Sequence, residues 1–435
     1  MTTIVGGSAA PAPSADVGRR LERTASGLAG VFGFSVLSSL EGWPTIPGSV
    51  WELIQFISLV GALTILIARR QVLRIAPLTL GILGGYAALT LTSTIVLTPG
   101  DPAPVVWQKL LRGLVVGLTA YMLGSTRRQL RAMTWGAILG AAVVALGGVT
   151  GQVGLGALDP DSGRLAGPVG DPNFFAQFQA VGFALAARHA IRATPSLGRT
   201  GASIAAGLCL LAIVVSESRG GLIAAVVTLC LLIPAMGRPG RRRMIVAMIA
   251  AGAVILTTPT GDRLLRSPDS VSTTLGDGTA EDTAVAGRLS ENIAAVRMFV
   301  DHPVLGVGYG GFPRRYLDYS FEIQIDDRTE EREAHNLHLE ILAETGAVGA
   351  LFWLGVVGVV LGGLATVRRT APSGRLVVVA DAWRLGFISF AITSVFLHDS
   401  FPNLQWFLVA TALAVQEAAA QPDQIAPSRS GAVAP

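Results

Sequence analysis

The chain has 435 residues, of which 51% are apolar and only 14% charged, with a formal net charge of +4. Soluble domains carry roughly a quarter charged residues, so a soluble enzyme or binding module is excluded and no nucleic-acid partner is expected. The apolar residues gather in runs near the length that crosses a hydrocarbon layer ~30 Å thick, which predicts an all-α, polytopic transmembrane helical bundle.

In chain order, residues 1–18 are rich in Ala, Pro and Ser without a signal-peptide pattern, and a disordered cytoplasmic tail is expected over 1–25. About twelve spans are predicted, near 27–41, 50–68, 75–97, 106–124, 132–150, 174–191, 202–216, 220–236, 244–258, 338–367, 376–397 and 402–418. The first nine fill 26–258 and the last three 338–420, with a second disordered cytoplasmic tail over 421–435. Cys209 and Cys230 lie inside apolar runs and read as packing residues, not as a disulfide.

Arginines mark every second loop: Arg19, Arg20 and Arg23; Arg69, Arg70 and Arg74; Arg127, Arg128 and Arg131; Arg188, Arg192 and Arg199; Arg238 and Arg241 to Arg243; Arg368, Arg369 and Arg375. The alternate short loops carry almost none. Both termini are therefore expected in the cytoplasm, and the protein in the inner (plasma) membrane.

Residues 259–337 form one large loop on the outer, periplasmic side, with fourteen acidic and eight basic side chains. Leu289, Ile293, Val296 and Val300 recur at helical spacing, which predicts an amphipathic helix ended by Asp301-His302-Pro303. The run from Gly306 to Gly311 follows no strand and opens no helix, so it reads as a tight turn packed on the bundle, not as a dinucleotide site. The acidic cluster Asp326, Asp327, Glu330, Glu331 and Glu333 reads as a solvated segment.

Several short motifs occur in a telling order. Gly170-Asp171-Pro172-Asn173 precedes span six, and Ser218-Arg219-Gly220-Gly221 joins spans seven and eight. Gly287-Arg288 leads into the loop helix, His302-Pro303-Val304-Leu305-Gly306-Val307-Gly308-Tyr309-Gly310 follows it, and His335-Asn336, nine residues, Gly346, two residues, Gly349 opens span ten. Across spans six to ten, roughly residues 165–365, this pattern resembles the bacterial O-antigen ligase family and its polymerase relatives; spans one to five match only in hydropathy.

The resemblance implies a GT-C-like membrane glycosyltransferase working at the outer face of the inner membrane. The donor would be a glycan on undecaprenyl diphosphate, the acceptor a hydroxyl of a second glycan or lipid core, and the reaction inverting, with no metal and no cofactor. The residues point the same way. A departing diphosphate gathers negative charge that fixed guanidinium groups stabilise. Arg219, interrupting an apolar hairpin, is the first candidate clamp, with Gly220 and Gly221 letting a lipid headgroup approach; the plain alternative is an interfacial Arg paired with Glu217. Arg288 is the second clamp, against a solvated loop charge, and Arg314 and Arg315 are reserves.

A histidine, ordinarily titrating near pH 6.5, can take the acceptor proton. His335 stands where the loop re-enters the membrane and is the expected base; the plain alternative is a cap or packing residue. Asn336 would cap the helix or orient His335, and Asp171 with Pro172 fits a helix cap and first-turn proline. His338 and Glu340, close after His335, suggest a metal site by spacing alone; with no second ligand cluster they read as hydrogen-bonding or site-lining groups. Gly346 and Gly349 read as close helix contacts, and His398-Asp399 as an outer-loop pair of minor interest. A polymerase joining lipid-linked repeats, transfer to protein hydroxyls, and a transporter or flippase are the alternatives; against the last, no inverted repeat and no charged midplane residue are visible.

Overall fold

The computed structural model describes residues 15–43, 46–69, 75–97, 103–152, 154–191, 196–255, 257, 261, 283–323, 330–371, 374–398 and 402–421. Among these the fold is α-helical without a β-strand; a single isolated bridge pairs Leu158 with Leu165. The helices are α1 (Ala15–Leu37), α2 (Gly48–Ala68), α3 (Pro77–Leu97), α4 (Ala103–Leu123), α5 (Arg127–Val149), α6 (Pro172–Ala190), α7 (Leu197–Val215), α8 (Arg219–Leu232), α9 (Arg238–Ile255), α10 (Thr283–Asp301), α11 (Phe312–Ile323), α12 (Leu337–Thr370), α13 (Gly374–Thr393) and α14 (Pro402–Ala420). Each of the twelve predicted apolar stretches coincides with a helix. Six helical segments are long and apolar enough to cross a membrane: α2, α3, α5, α7, α12, and α13 with its extension to Phe396. The segment Arg219–Ala235 is apolar but shorter.

The bundle is held by close helix contacts of the kind small residues permit in membranes. Between α1 and α5, a Cβ added at Gly33, Gly136 or Gly140 would meet the backbone of the facing helix. A buried ion pair joins two helices: Arg188 of α6 donates from both Nε and Nη2 to Asp381 of α13 at 3.0 Å, which offsets the cost of charge in an apolar interior. The expected N-terminal tail is shorter than the sequence suggested, because α1 already begins at Ala15. Its first turn carries an Asp16–Arg19 ion pair, and Glu22 binds Arg69 at 2.5 Å and Thr126 at 2.8 Å, so polar contacts extend the helix beyond its apolar stretch. The expectations placed on 1–14, 262–282, 324–329 and 422–435 lie outside the described residues.

The long connection between α9 and α12 contains the predicted helix, α10, which ends at Asp301 before Pro303 as expected. It packs by its small-residue face, opposite the aliphatic stripe. Gly287, Ser290, Glu291, Ala294, Ala295 and Met298 face inward, while Val296 and Val300 face out. Ala294, Ala295 and Met298 form a small separate core with Val307, Phe312, Tyr316, Ala334 and Ala343. Small side chains bring α10 close to its neighbours, and that proximity outweighs burying the larger residues.

The turn after α10 repairs a break in α12. At Gly346 the backbone leaves the helix (φ 61°, ψ −163°), a region open essentially to glycine alone. The freed carbonyls of Ala343 and Glu344 accept from Val307 N and Gly308 N, both at 2.9 Å. The freed amides of Ala347 and Val348 donate to the carbonyls of Pro303 at 2.8 Å and Val304 at 3.2 Å. Gly346 is thus the seat of the 303–308 turn, not a helix–helix contact, and the turn does pack on the bundle. At Gly349 an added Cβ would first meet the Thr345 side chain one turn earlier in α12, and Leu89 of α3 only at 3.3 Å.

Candidate functional site

His335 sits one residue before the N-cap of α12, in the left-handed region at φ 45°. Non-glycine residues seldom adopt this conformation, although His tolerates it better than most. Asn336 is the N-cap, its Oδ1 accepting from Leu339 N at 3.2 Å. This geometry turns the imidazole toward α10. There Nδ1 lies 2.9 Å from Glu291 Oε2 and 3.0 Å from the Glu333 carbonyl. Both neighbours are acceptors, so Nδ1 carries the proton and the neutral ring keeps its lone pair on Nε2. Glu291 is wholly buried, and its other oxygen accepts from Arg332 Nε at 3.0 Å. A buried carboxylate held by two donors is a stable partner for an imidazole that gains charge.

On its other side His335 meets the ring of His398, edge to face at 5.1 Å, and His398 in turn meets Phe174 of α6 at 5.2 Å. Burial, followed by the charges of His335, Lys109 and Arg332, pushes the His398 pKa down to about 3, so this ring is neutral at pH 7. The segment bearing His398 runs between two other candidates. Leu397 accepts from Leu337 N at 2.6 Å, and the neighbouring Phe396 ring packs on Gly220. Gly220, next to Arg219 at the start of α8, thus packs on the 396–398 segment that also reaches His335.

The start of α8 is built with care. Ser218 caps it, accepting from Gly221 N at 3.4 Å, and Glu217 is left-handed at φ 52°. Gly220 and Gly221 are consumed by packing against Phe396 and Ala176, since an added Cβ would lie 2.8 Å from each. Both glycines thus serve close packing. Arg164, from the connection before α6, ties this turn to α6 by donating to the Ser216 carbonyl at 2.9 Å and to Asn173 Oδ1 at 3.2 Å. At the start of α6, Asp171 caps the helix, accepting from Asn173 N at 2.7 Å and Phe174 N at 2.9 Å, with Pro172 at the first position. Asp171 has a capping role, and its helix start carries Phe174 to His398.

Arg288 is half-buried on α10, one turn before Glu291, which puts it beside the residue that holds His335. The other candidates divide. His338 faces away: its Nε2–H donates to the Ala391 carbonyl at 3.0 Å, and its Nδ1 accepts from Trp353 Nε1 at 3.2 Å. Buried Glu340 lines a cleft of about 200 Å³ with Lys109, Arg314, Glu331, Glu333 and Glu344. Glu333, whose carbonyl touches His335, joins this cleft to the histidine, so at least part of the acidic stretch is site wall. Arg315 is exposed outside it.

Among the contacts described, His335 meets Glu291, Glu333 and His398, and Arg332 shares the Glu291 carboxylate with it. Residues 204–354 match the family model described as O-antigen ligase. This segment of the chain is similar to O-antigen ligases. With six helical segments long and apolar enough to cross a membrane, the chain is a membrane protein with a segment similar to O-antigen ligases. No curated protein matches the chain. The matched O-antigen ligase segment contains Arg219, Arg288, Glu291 and His335 but not Arg164, Asp171 or His398. Sequence reading did not single out Glu291, Arg332 or Arg164, and gave His398 only minor interest. The one signal for Glu291 was its place among Gly287, Ala294 and Ala295 on the small-residue face of α10.

Proposed function

We propose that the protein transfers a glycan from undecaprenyl diphosphate to an acceptor hydroxyl at the outer face of the cell membrane, by an inverting displacement without a metal ion. His335 Nε2 accepts the hydroxyl proton as the oxygen attacks the anomeric carbon. The bond to the diphosphate breaks, and its electron pair leaves with the carrier lipid. Glu291 steadies the imidazolium that forms. Arg219, at a helix N-terminus whose dipole also favours anions, and Arg288 hold the leaving diphosphate.

The observation that carries this reading is the Glu291–His335 pair, which leaves Nε2 as the basic nitrogen, with a buried carboxylate 2.9 Å from the opposite ring nitrogen. The family match supports a reaction of ligase or polymerase type, and the form proposed is the ligase one, with transfer to an acceptor distinct from the carrier. The test is transfer from a purified undecaprenyl-diphosphate-linked glycan to a glycan acceptor in vesicles, followed by the anomeric configuration of the product. Release of undecaprenyl diphosphate with inverted linkage is expected. A retained configuration, or no transfer by protein that is inserted and folded, overturns the proposal.

A further inference from the structure

The outward face of α10 is made of large aliphatic side chains. Val300 is 66% exposed, and in the turn that follows Val304 is 61% exposed. Leu289, Ile293, Val296 and Val300 form one stripe, opposite the small-residue face that holds Glu291. Arg288 and Arg297 flank the stripe. An amphipathic helix with an aliphatic face and basic flanks has the pattern of one that lies in a lipid interface.

The depth of this stripe follows from α12. Arg368 and Arg369 mark one headgroup end of that span, both exposed. Counting twenty residues back from Arg368 at 1.5 Å each covers ~30 Å, the whole hydrocarbon layer, and reaches Val348. Val348 is the residue whose amide binds the Val304 carbonyl at 3.2 Å. One and two turns further into the span, Leu351 and Leu354 point outward, 68% and 63% exposed. The exposed apolar surface of the span therefore adjoins Val304, in the turn that follows the exposed Asp301 at the end of α10.

We infer that α10 and the turn after it rest in the lipid leaflet at the end of the bundle away from Arg368, with Val296, Val300 and Val304 among the acyl chains and Arg288 and Arg297 at headgroup level. The bilayer is thus part of the site's scaffold, and Glu291, on the inward face of the same helix, stays within about one helix diameter of the lipid. The inference does not depend on the reaction proposed above.

A nitroxide label tests this in the full-length protein. Val300→Cys and, as a second position, Val296→Cys are made in a Cys209→Ala, Cys230→Ala background and reconstituted in phosphatidylethanolamine–phosphatidylglycerol vesicles. Leu354→Cys serves as the lipid reference and exposed Asp318→Cys as the water reference. Collisions with oxygen should exceed those with a water-soluble nickel chelate at both valine positions, as at Leu354. Nickel accessibility matching Asp318 would show that the stripe faces water. Low accessibility to both reagents would show that protein, such as a second copy of the chain, covers it. Either result overturns the inference.

Discussion

Glu291 and His335, 44 residues apart in sequence, meet at 2.9 Å with the carboxylate wholly buried. The pair puts the proton of the neutral ring on Nδ1 and leaves Nε2 as the basic nitrogen, the atom that the proposed mechanism uses. Glu291→Gln can keep an acceptor near Nδ1 but removes the charge that steadies the imidazolium. Its kcat should fall by roughly 10²-fold, toward the lower end of the loss for removing a general base, with little change in KM for the lipid donor. Steady-state kinetics on purified protein would decide. An unchanged kcat would mean that Glu291 serves only to anchor Arg332 and the loop.

The two histidines of the signature should behave differently. His335→Ala removes the proton acceptor and should cost roughly 10²- to 10⁴-fold in transfer. His338 has both ring nitrogens engaged, by Ala391 and Trp353. His338→Gln, which can replace part of that bonding, should retain most activity, and His338→Ala should lower thermal stability more than kcat. Equal kinetic losses at both positions would point to a shared binding site instead of a dedicated base.

The arginines answer for the leaving group. Arg219→Ala and Arg288→Ala should each remove transfer while leaving the protein inserted, and Arg219→Lys should recover little, because Lys lacks the planar fork that suits a diphosphate. Transfer should also survive EDTA. Loss of activity in the chelator, restored by Mg²⁺ or Mn²⁺, would overturn the metal-free reading; near-normal turnover in both Ala variants would overturn the clamp.

How much of this was legible in the sequence depends on the range of the interaction. The helices were readable because an apolar run of span length has few other uses in a polytopic protein, and the end of α10 because Asp301-His302-Pro303 is a local stop. Asp171 and Asn336 showed themselves as caps for the same reason. What stayed hidden were contacts across the chain. The aliphatic stripe of α10 reads as a core face only if the solvent is water; beside a membrane the larger residues can face out and the small ones in. Glu291 looked like one of fourteen loop acids until α10 placed it against His335. The motif around Gly306 and the glycine at 346 were both visible, but their mutual fit depends on a helix break that no local pattern announces.

That fit gives a stability prediction. Gly346 combines φ 61° with a backbone packed against the Val304 carbonyl, so a Cβ there would collide with main chain that cannot move aside. Gly346→Ala should destabilise by roughly 1–3 kcal/mol from conformation alone, and more from the clash. At Gly358, in the same helix, an added Cβ would meet nothing within 4 Å, so Ala should be accepted there without loss. Thermal unfolding of the two variants in detergent would test this. Equal midpoints would mean that the break relaxes into continuous helix, and the 303–308 turn should then become more open to protease.

His398 gives a prediction for pH. Burial, with neighbouring positive charge, lowers its pKa from 6.5 to about 3 in the folded protein. Between those values the unfolded chain binds the proton and the folded chain does not, so lowering the pH favours unfolding. The penalty begins as pH falls through the unfolded value near 6.5, grows down to about 3, and is constant below that, where both states are protonated. His398→Gln removes this titration while keeping a polar side chain of similar reach between His335 and Phe174. Thermal midpoints measured from pH 7 to pH 4 should therefore fall less steeply for His398→Gln than for the parent, with the curves separating below about pH 6.5. If the two slopes were the same, His398 would be reached by water and would titrate normally in the folded state, and the neutral ring against His335 would have to be abandoned.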